Sequence, residues 1–454
     1  MNNRPCLPVI GLALAILLSA VLPASWGAPP ADTSYVVVVA RHTQEQPEWQ
    51  AVVDALVARH AAAVLVYDQL PEECLPELQR RHPRYTCFVA PPEEVTRAFV
   101  AQVHQLTRQY DDDPYTDTFW GILTGWNAEG ALRIAQHDEP LTVRKVASGT
   151  EFAMDKVVEG VWYCELVQNR MYRKEPGQAP QRQEAPDDTT RALVDTLNEY
   201  RADLFITSGH ATERDWQIGF RYRNGSFRSS QGQLFGLDTR GERHPIDSPN
   251  PKVYLAVGNC LMGHIDGPDA MALAWLESAG VKQMVGYTVP TWFGFGGWGC
   301  LDYFLEQPGR YTLTEAFFAN QHALIYSLEH EIGNPRGLEF DKNAVAFYGD
   351  PAWIARMAEG ELHYEQQLDI ADGVYTLTIT PNRGEASFQP VNTNGSQRGW
   401  RPLIQFLPHR IGQVELLAGE ELQPVITDDF ILIPNPRDCD PDREYRVVFQ
   451  AEPK

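Results

Sequence analysis

The amino-acid sequence predicts an α/β protein, a parallel sheet wound with helices over most of the chain, followed by a C-terminal β-sandwich. Three observations carry this. Short continuous β-branched runs, beginning with Tyr35–Ala40 (YVVVVA), alternate with segments of helical periodicity as far as residue 108. Two later apolar runs, residues 202–207 (ADLFIT) and 253–257 (VYLAV), each lead into a glycine-containing turn that carries a reactive side chain. Beyond Met357 the pattern becomes one of short alternating strands separated by Pro, Asn and Gly.

Composition sets the outer limits. The chain has 454 residues, with 38 Lys+Arg against 60 Asp+Glu and a formal net charge of -22. That balance repels phosphate backbones, and no basic block offsets it, so no nucleic-acid partner is expected. With 43% hydrophobic and 22% charged residues, the chain is neither disordered nor a miniature disulfide scaffold. Boundaries are expected at 1–28 (signal peptide), 29–142 (N-terminal α/β subdomain), 143–357 (second, catalytic α/β subdomain) and 358–454 (β-sandwich). The signal reading rests on Arg4, the apolar stretch 9–22, and Ser25-Trp26-Gly27 before Ala28. Some 14 apolar residues fall short of the ~20 that cross a bilayer as a helix, and no later run is longer, so no transmembrane segment is expected in the mature chain. Export to the periplasm, cell surface or medium follows. There, Cys74, Cys87, Cys164, Cys260, Cys300 and Cys439 have access to disulfide chemistry; Cys74 with Cys87 is the nearest pair, and connectivity stays open.

Taken in order, Tyr35–Ala40 reads as a strand covered on both faces. Pro47–His60 reads as a helix with Val52, Val53, Leu56 and Val57 on its buried side and Pro47 where a helix can begin. Residues 62–67 are strand-like, 71–81 helical, Tyr85–Val89 a strand and 93–108 helical. The acidic run Asp111-Asp112-Asp113-Pro114 lacks EF-hand spacing and reads as a solvated loop; no cofactor is required, and a structural calcium here is left open. Residues 174–186 (KEPGQAPQRQEAP) read as an exposed loop. A helix capped by Asp187 or Asp188 follows, with Leu193, Val194, Leu197 and Tyr200 as its stripe.

The strand at 202–207 runs into Ser208-Gly209-His210-Ala211, and the strand at 253–257 runs into Gly258-Asn259-Cys260. In an open parallel sheet, ligands bind beyond the carboxyl ends of the strands, so the two ends can present imidazole and thiol to one cleft. A nearby imidazolium, with a helix expected to begin after Cys260, would favour the nucleophilic thiolate. Either residue alone is more often plain packing; the paired strand-end placement is what points to chemistry.

Strand-Ser208-Gly209-His210, then Trp216, then strand-Asn259-Cys260 with Gly263, resembles the His and Cys signatures of the gingipain family in the caspase-like clan of cysteine peptidases. Ala279-Gly280-Val281 through Val285-Gly286-Tyr287 and the segment Phe347-Tyr348-Gly349-Asp350-Pro351 resemble later parts of that family, as, less closely, do Tyr115-Thr116-Asp117 and Gly121. The resemblance spans roughly residues 30 to 357. It implies a caspase-like α/β sandwich in two subdomains followed by an immunoglobulin-like module. For the site, it implies His210 and Cys260 as catalytic dyad and the backbone N–H groups of Ala211 and Cys260 as oxyanion hole. The family usually has glycine where this chain has Ala211, and a positive φ there would strain an alanine.

Glu151, Asp155 and Glu159 are the upstream candidates to orient His210. Trp292, in an aromatic, glycine-spaced loop with Phe293, Phe295 and Trp298, is the candidate wall of a substrate pocket. Cys260, His264 and Asp266 could be read with His210 as metal ligands, but no zinc-site spacing supports them, so no metal is assigned. The expected function is an exported cysteine endopeptidase acting on protein or peptide substrates. Its alternative is an inactive relative that binds peptides or acts as a scaffold.

Overall fold

The computed structural model describes Met1 and residues 34–454; the expected signal peptide lies almost wholly outside the described residues. The protein is a mixed α/β structure with one large, mostly parallel sheet and further antiparallel sheets. The large sheet has twelve strands. From one edge it runs Ala63–Tyr67, Tyr35–Ala40, Tyr85–Val89, Phe119–Leu123, Val345–Tyr348, Val281–Tyr287, Lys252–Asn259, Leu204–Gly209, Lys145–Ser148, Glu159–Tyr163, Arg170–Lys174 and Gln181–Glu184. A single sheet therefore crosses the boundary expected at residue 142.

Strand direction reverses where Val345–Tyr348 meets Val281–Tyr287, which pair antiparallel. On each side of that junction the neighbours are parallel, until the final hairpin reverses again. The carboxyl ends of the first four strands thus open at the opposite edge from those of Leu204–Gly209 and Lys252–Asn259. The all-buried β-branched composition of Tyr35–Ala40 fits its place between two parallel neighbours and beneath helices.

Residues 174–186, expected as a loop, instead carry the turn and second strand of an edge hairpin, whose Gln181–Glu184 strand is exposed at every position. Four polar side chains on an edge discourage pairing with a second sheet. The aromatic, glycine-spaced segment is also not simply a loop: Phe295–Phe304 is a helix buried along its whole length. Its glycines serve the core, since a Cβ on Gly297 would lie 2.3 Å from the Val257 carbonyl oxygen and one on Gly299 would collide with Asn320.

C-terminal to Met357, a four-stranded sheet (Tyr364–Ala371, Val374–Pro381, Tyr445–Pro453, Ile411–Ala418) and a three-stranded one (Leu403–Phe406, Phe430–Ile433, Val425–Ile426) share a core built on Tyr375, Leu377, Ile431, Val447 and Phe449. This part is tied to the helix Phe295–Phe304 by a buried ionic cluster. Arg398 pairs with Asp302 at 2.6 Å and with Glu306, and Arg401 pairs with Asp302 at 3.1 Å; their side chains are between 1% and 8% exposed.

All six described cysteines are free thiols, so the expected Cys74–Cys87 bridge is absent; both side chains are packed in the core. The acidic run is a turn closed on itself, with Asp111 accepting from the Asp113 N–H and Asp113 from the Tyr115 N–H. Asp111 also faces Arg410 at 3.5 Å. Among the described residues, no helix is long and apolar enough to cross a membrane.

Candidate active site

Leu204–Gly209 and Lys252–Asn259 are adjacent parallel strands whose register ends Ser208↔Gly258, Gly209↔Asn259. His210 and Cys260 are therefore the next residue on each, at the same edge of the sheet. Paired strands lie about 4.8 Å apart, so the two side chains start from neighbouring positions. Two local features shape these ends. The register slips between Thr207 and Ser208, leaving Val257 as an extra residue on the cysteine strand, and such a bulge re-aims the residues beyond it. Asn259 then spans the pair: its amide donates to the Gly209 carbonyl at 3.1 Å and its carbonyl oxygen accepts from the Thr207 hydroxyl at 2.6 Å.

The cysteine is held by a loop of the neighbouring strand. The Thr291 N–H donates to Cys260 Sγ at 3.2 Å, and the Thr291 hydroxyl donates to the Asn259 carbonyl at 3.0 Å. The Thr291 carbonyl oxygen lies 3.8 Å from the same sulfur, as an acceptor for the thiol proton. Cys260 is half-buried, whereas Cys87 and Cys300 are fully buried. The helix expected directly after Cys260 does not begin there. Leu261 takes a left-handed φ of 58°, and the chain turns through Gly263 and Pro268 before helix Met271–Ser278 starts. The helix expected after Cys260 therefore does not place its N-terminus at the thiol. Leu261 stores local strain beside the candidate nucleophile, as functional turns often do.

His210 is exposed, and no hydrogen bond reaches its ring from any described residue. Its ring lies against Phe220, with centroids 4.9 Å apart and planes 26° from parallel. Of the three upstream carboxylates two are engaged elsewhere, and the third, Asp155, is exposed with only its backbone carbonyl in use. Glu151 accepts from the Asn394 amide, and burial, with Glu165 nearby, pushes its carboxyl up; Glu159 pairs with Lys145; and the Asp155 backbone carbonyl accepts from Lys174.

Ala211 does not have a positive φ; the left-handed residue is Gly209, at 91°. Ala211 forms an isolated antiparallel bridge with Trp216 whose two hydrogen bonds run between the flanking residues, from Gln217 N–H to the His210 carbonyl and from Thr212 N–H to the Asp215 carbonyl. The Ala211 N–H takes no part in that bridge. Trp292 follows Thr291, is 51% exposed, and leans on Phe340 with centroids 5.5 Å apart. Asp266 is committed to Arg214 at 2.7 Å. The described ligand-type side chains close enough to share an ion are His82 with Asp111 and Asp117, and Asp238 with Glu242 and His244. Cys260, His264 and Asp266 form no such group.

Thr291, Phe220 and Glu165 were not singled out by sequence reasoning, and Asn259 was named only as the residue before Cys260. Asn259 alone carried a readable signal, as a polar residue ending an apolar strand. The other three depend on loops brought in from elsewhere.

No family model matches this chain, and no curated protein matches it in sequence. Two solved structures are similar to it. One, described as a protease, shares 12% identity over 77% of this chain and 85% of its own, with a TM-score of 0.46. The other, the complex of the pro- and mature domains of RgpB from Porphyromonas gingivalis, shares 10% identity over 92% and 93%, with a TM-score of 0.45. At these values neither likeness assigns chemistry to this chain.

Proposed function

We propose that this chain is an exported cysteine endopeptidase that cleaves peptide bonds with a Cys260–His210 dyad. The observation that carries the reading is the register: thiol and imidazole follow directly on paired residues of adjacent parallel strands, at the edge where such sheets bind ligands. In the proposed reaction, Cys260 Sγ attacks the scissile carbonyl carbon, forming a C–S bond. The oxyanion is met by the N–H groups of Ala211 and Cys260, and His210 passes the thiol proton to the leaving amine as the C–N bond breaks. Water, deprotonated by His210, then releases the acyl group and restores the thiol. The chemistry calls for no cofactor. Trp292 would wall the pocket for the substrate side chain.

A second reading, an inactive peptide-binding or scaffolding protein, is favoured by one observation: among the described residues no carboxylate hydrogen-bonds to His210. Incubating the mature protein and Cys260→Ala with a diverse peptide library, read by mass spectrometry, separates the two. Cleavage by the wild type alone supports the peptidase, and peptide retention without cleavage supports the scaffold.

A further inference from the structure

The unpartnered imidazole raises the question of what orients it. We infer that Phe220 is the positioning residue for His210, an aromatic platform that sets the plane of the imidazole where a carboxylate would otherwise do so. This inference rests on the dyad reading above.

The platform is built from several directions. Phe220 is 45% exposed, large and apolar, yet its ring covers a polar side chain instead of joining the core. Its backbone is fixed, since the Phe220 N–H donates to the Glu165 carbonyl at 2.6 Å and the Arg221 N–H to the same oxygen at 3.3 Å. Two residues on, the Tyr222 hydroxyl donates to the Cys164 carbonyl at 2.8 Å. Glu165 is itself a buried hub. Its carboxylate accepts from the Thr150 hydroxyl at 3.0 Å, the Trp162 indole at 3.0 Å and the Glu151 N–H at 3.2 Å. The Ser208 hydroxyl donates to Thr150 at 2.8 Å, so the strand end that carries His210 and the loop that carries Phe220 are anchored to one residue.

The chemistry follows from the ring's charge distribution. The negative face of an aromatic ring attracts a cation above it, so the Phe220 face suits the imidazolium that His210 becomes while it carries the thiol proton in the proposed reaction. Stacking also restricts the imidazole's rotation about its side-chain bonds, work that a carboxylate hydrogen bond does elsewhere.

The test needs no substrate. Iodoacetamide alkylation of Cys260, followed by peptide mass spectrometry across pH 5 to 9 on the full chain, is measured for wild type, His210→Ala, Phe220→Ala, Phe220→Leu and Phe220→Trp. We expect His210→Ala to slow alkylation at neutral pH. Phe220→Ala and Phe220→Leu should slow it about twofold to fivefold, with profiles moved toward that of His210→Ala, and Phe220→Trp should restore the wild-type profile. Phe220→Leu keeps apolar bulk without a π face, which separates platform from packing. If His210→Ala slows the reaction but Phe220→Ala and Phe220→Leu match wild type, the platform is refuted and the dyad stands. If His210→Ala has no effect, the dyad itself fails and the platform with it.

Discussion

Two substitutions two residues apart should both destabilise, but by different amounts and for different reasons. Gly209 has a φ of 91°, a region that side-chain-bearing residues rarely adopt, whereas Ala211 lies outside it. In Gly209→Ala the new Cβ meets only ordinary contact, 3.4 Å from Phe220, so the cost comes from the backbone and not from crowding. Holding an alanine in that conformation costs about 1–3 kcal/mol. For a chain of this size that corresponds to a fall in Tm of roughly 1–3 °C. Ala211→Gly relieves no strain and adds unfolded-state entropy, so it should destabilise by about 0.4–1 kcal/mol. It should leave kcat on a library-derived peptide unchanged, because the Ala211 N–H is already clear of its bridge. Thermal unfolding of both variants, with kcat and KM measured separately, is the assay. A rise in stability or in kcat for Ala211→Gly would show that residue 211 is the strained position and refute the reasoning.

Lys252 is fully buried, its ammonium donating to Ser248, Asn250 and Ala279 oxygens, and burial pushes it down to about 7. Above that pH the unfolded chain holds the extra proton up to about 10.4, so this group makes stability rise with pH across the window, by at most about 1.4 kcal/mol per unit. The surrounding oxygens favour the ammonium and keep the slope below that ceiling. Urea unfolding from pH 7 to 10 should show Lys252→Met with a flatter slope as well as a lower baseline; parallel slopes would contradict this. Burial pushes the Cys87 thiol well up and Cys300 up to about 12, so at pH 8 mass spectrometry should find Cys260 and Cys439 alkylated while Cys87 and Cys300 react only on unfolding. A Cβ on Gly263 would lie 2.3 Å from the Gly286 carbonyl oxygen, so Gly263→Ala should cost at least about 1–3 kcal/mol by forcing the Cys260 turn off the sheet, read as a lower urea midpoint. Trp292→Ala should raise KM severalfold with little change in kcat, and an equal loss in both would place Trp292 in the chemistry instead.

Most of the fold was legible because its strongest signals are local. YVVVVA can only be a doubly covered strand, and the two strand ends bearing His210 and Cys260 stood out because an apolar run, a glycine and a reactive side chain recur in the same order. The segment from Trp292 to Gly299 misled for a physical reason. Glycine favours loops in isolation, but here its missing Cβ lets Phe295–Phe304 lie against Val257 and Asn320, a tertiary contact that no window of sequence contains. The concern over Ala211 was placed two residues too late, since φ is settled by how the strand end meets the Trp216 strand. The hydrogen bond from Thr291 to the thiol and the stack of Phe220 on His210 each join segments brought together only by folding, so their meaning appears only in three dimensions.

The ionic cluster beneath the helix Phe295–Phe304 bears on how the molecule is inherited as well as how it stands. Asp302 and Glu306 belong to the α/β part, Arg398 and Arg401 to the C-terminal part, and all four are nearly withdrawn from water. Each half alone would expose or strand charges that only the other half neutralises, and an uncompensated buried charge costs about 3–5 kcal/mol. The sandwich is therefore no detachable appendage. The two parts should melt in one cooperative transition, and a recombination event that swapped either part without its matching pair of charges would yield a chain that cannot close.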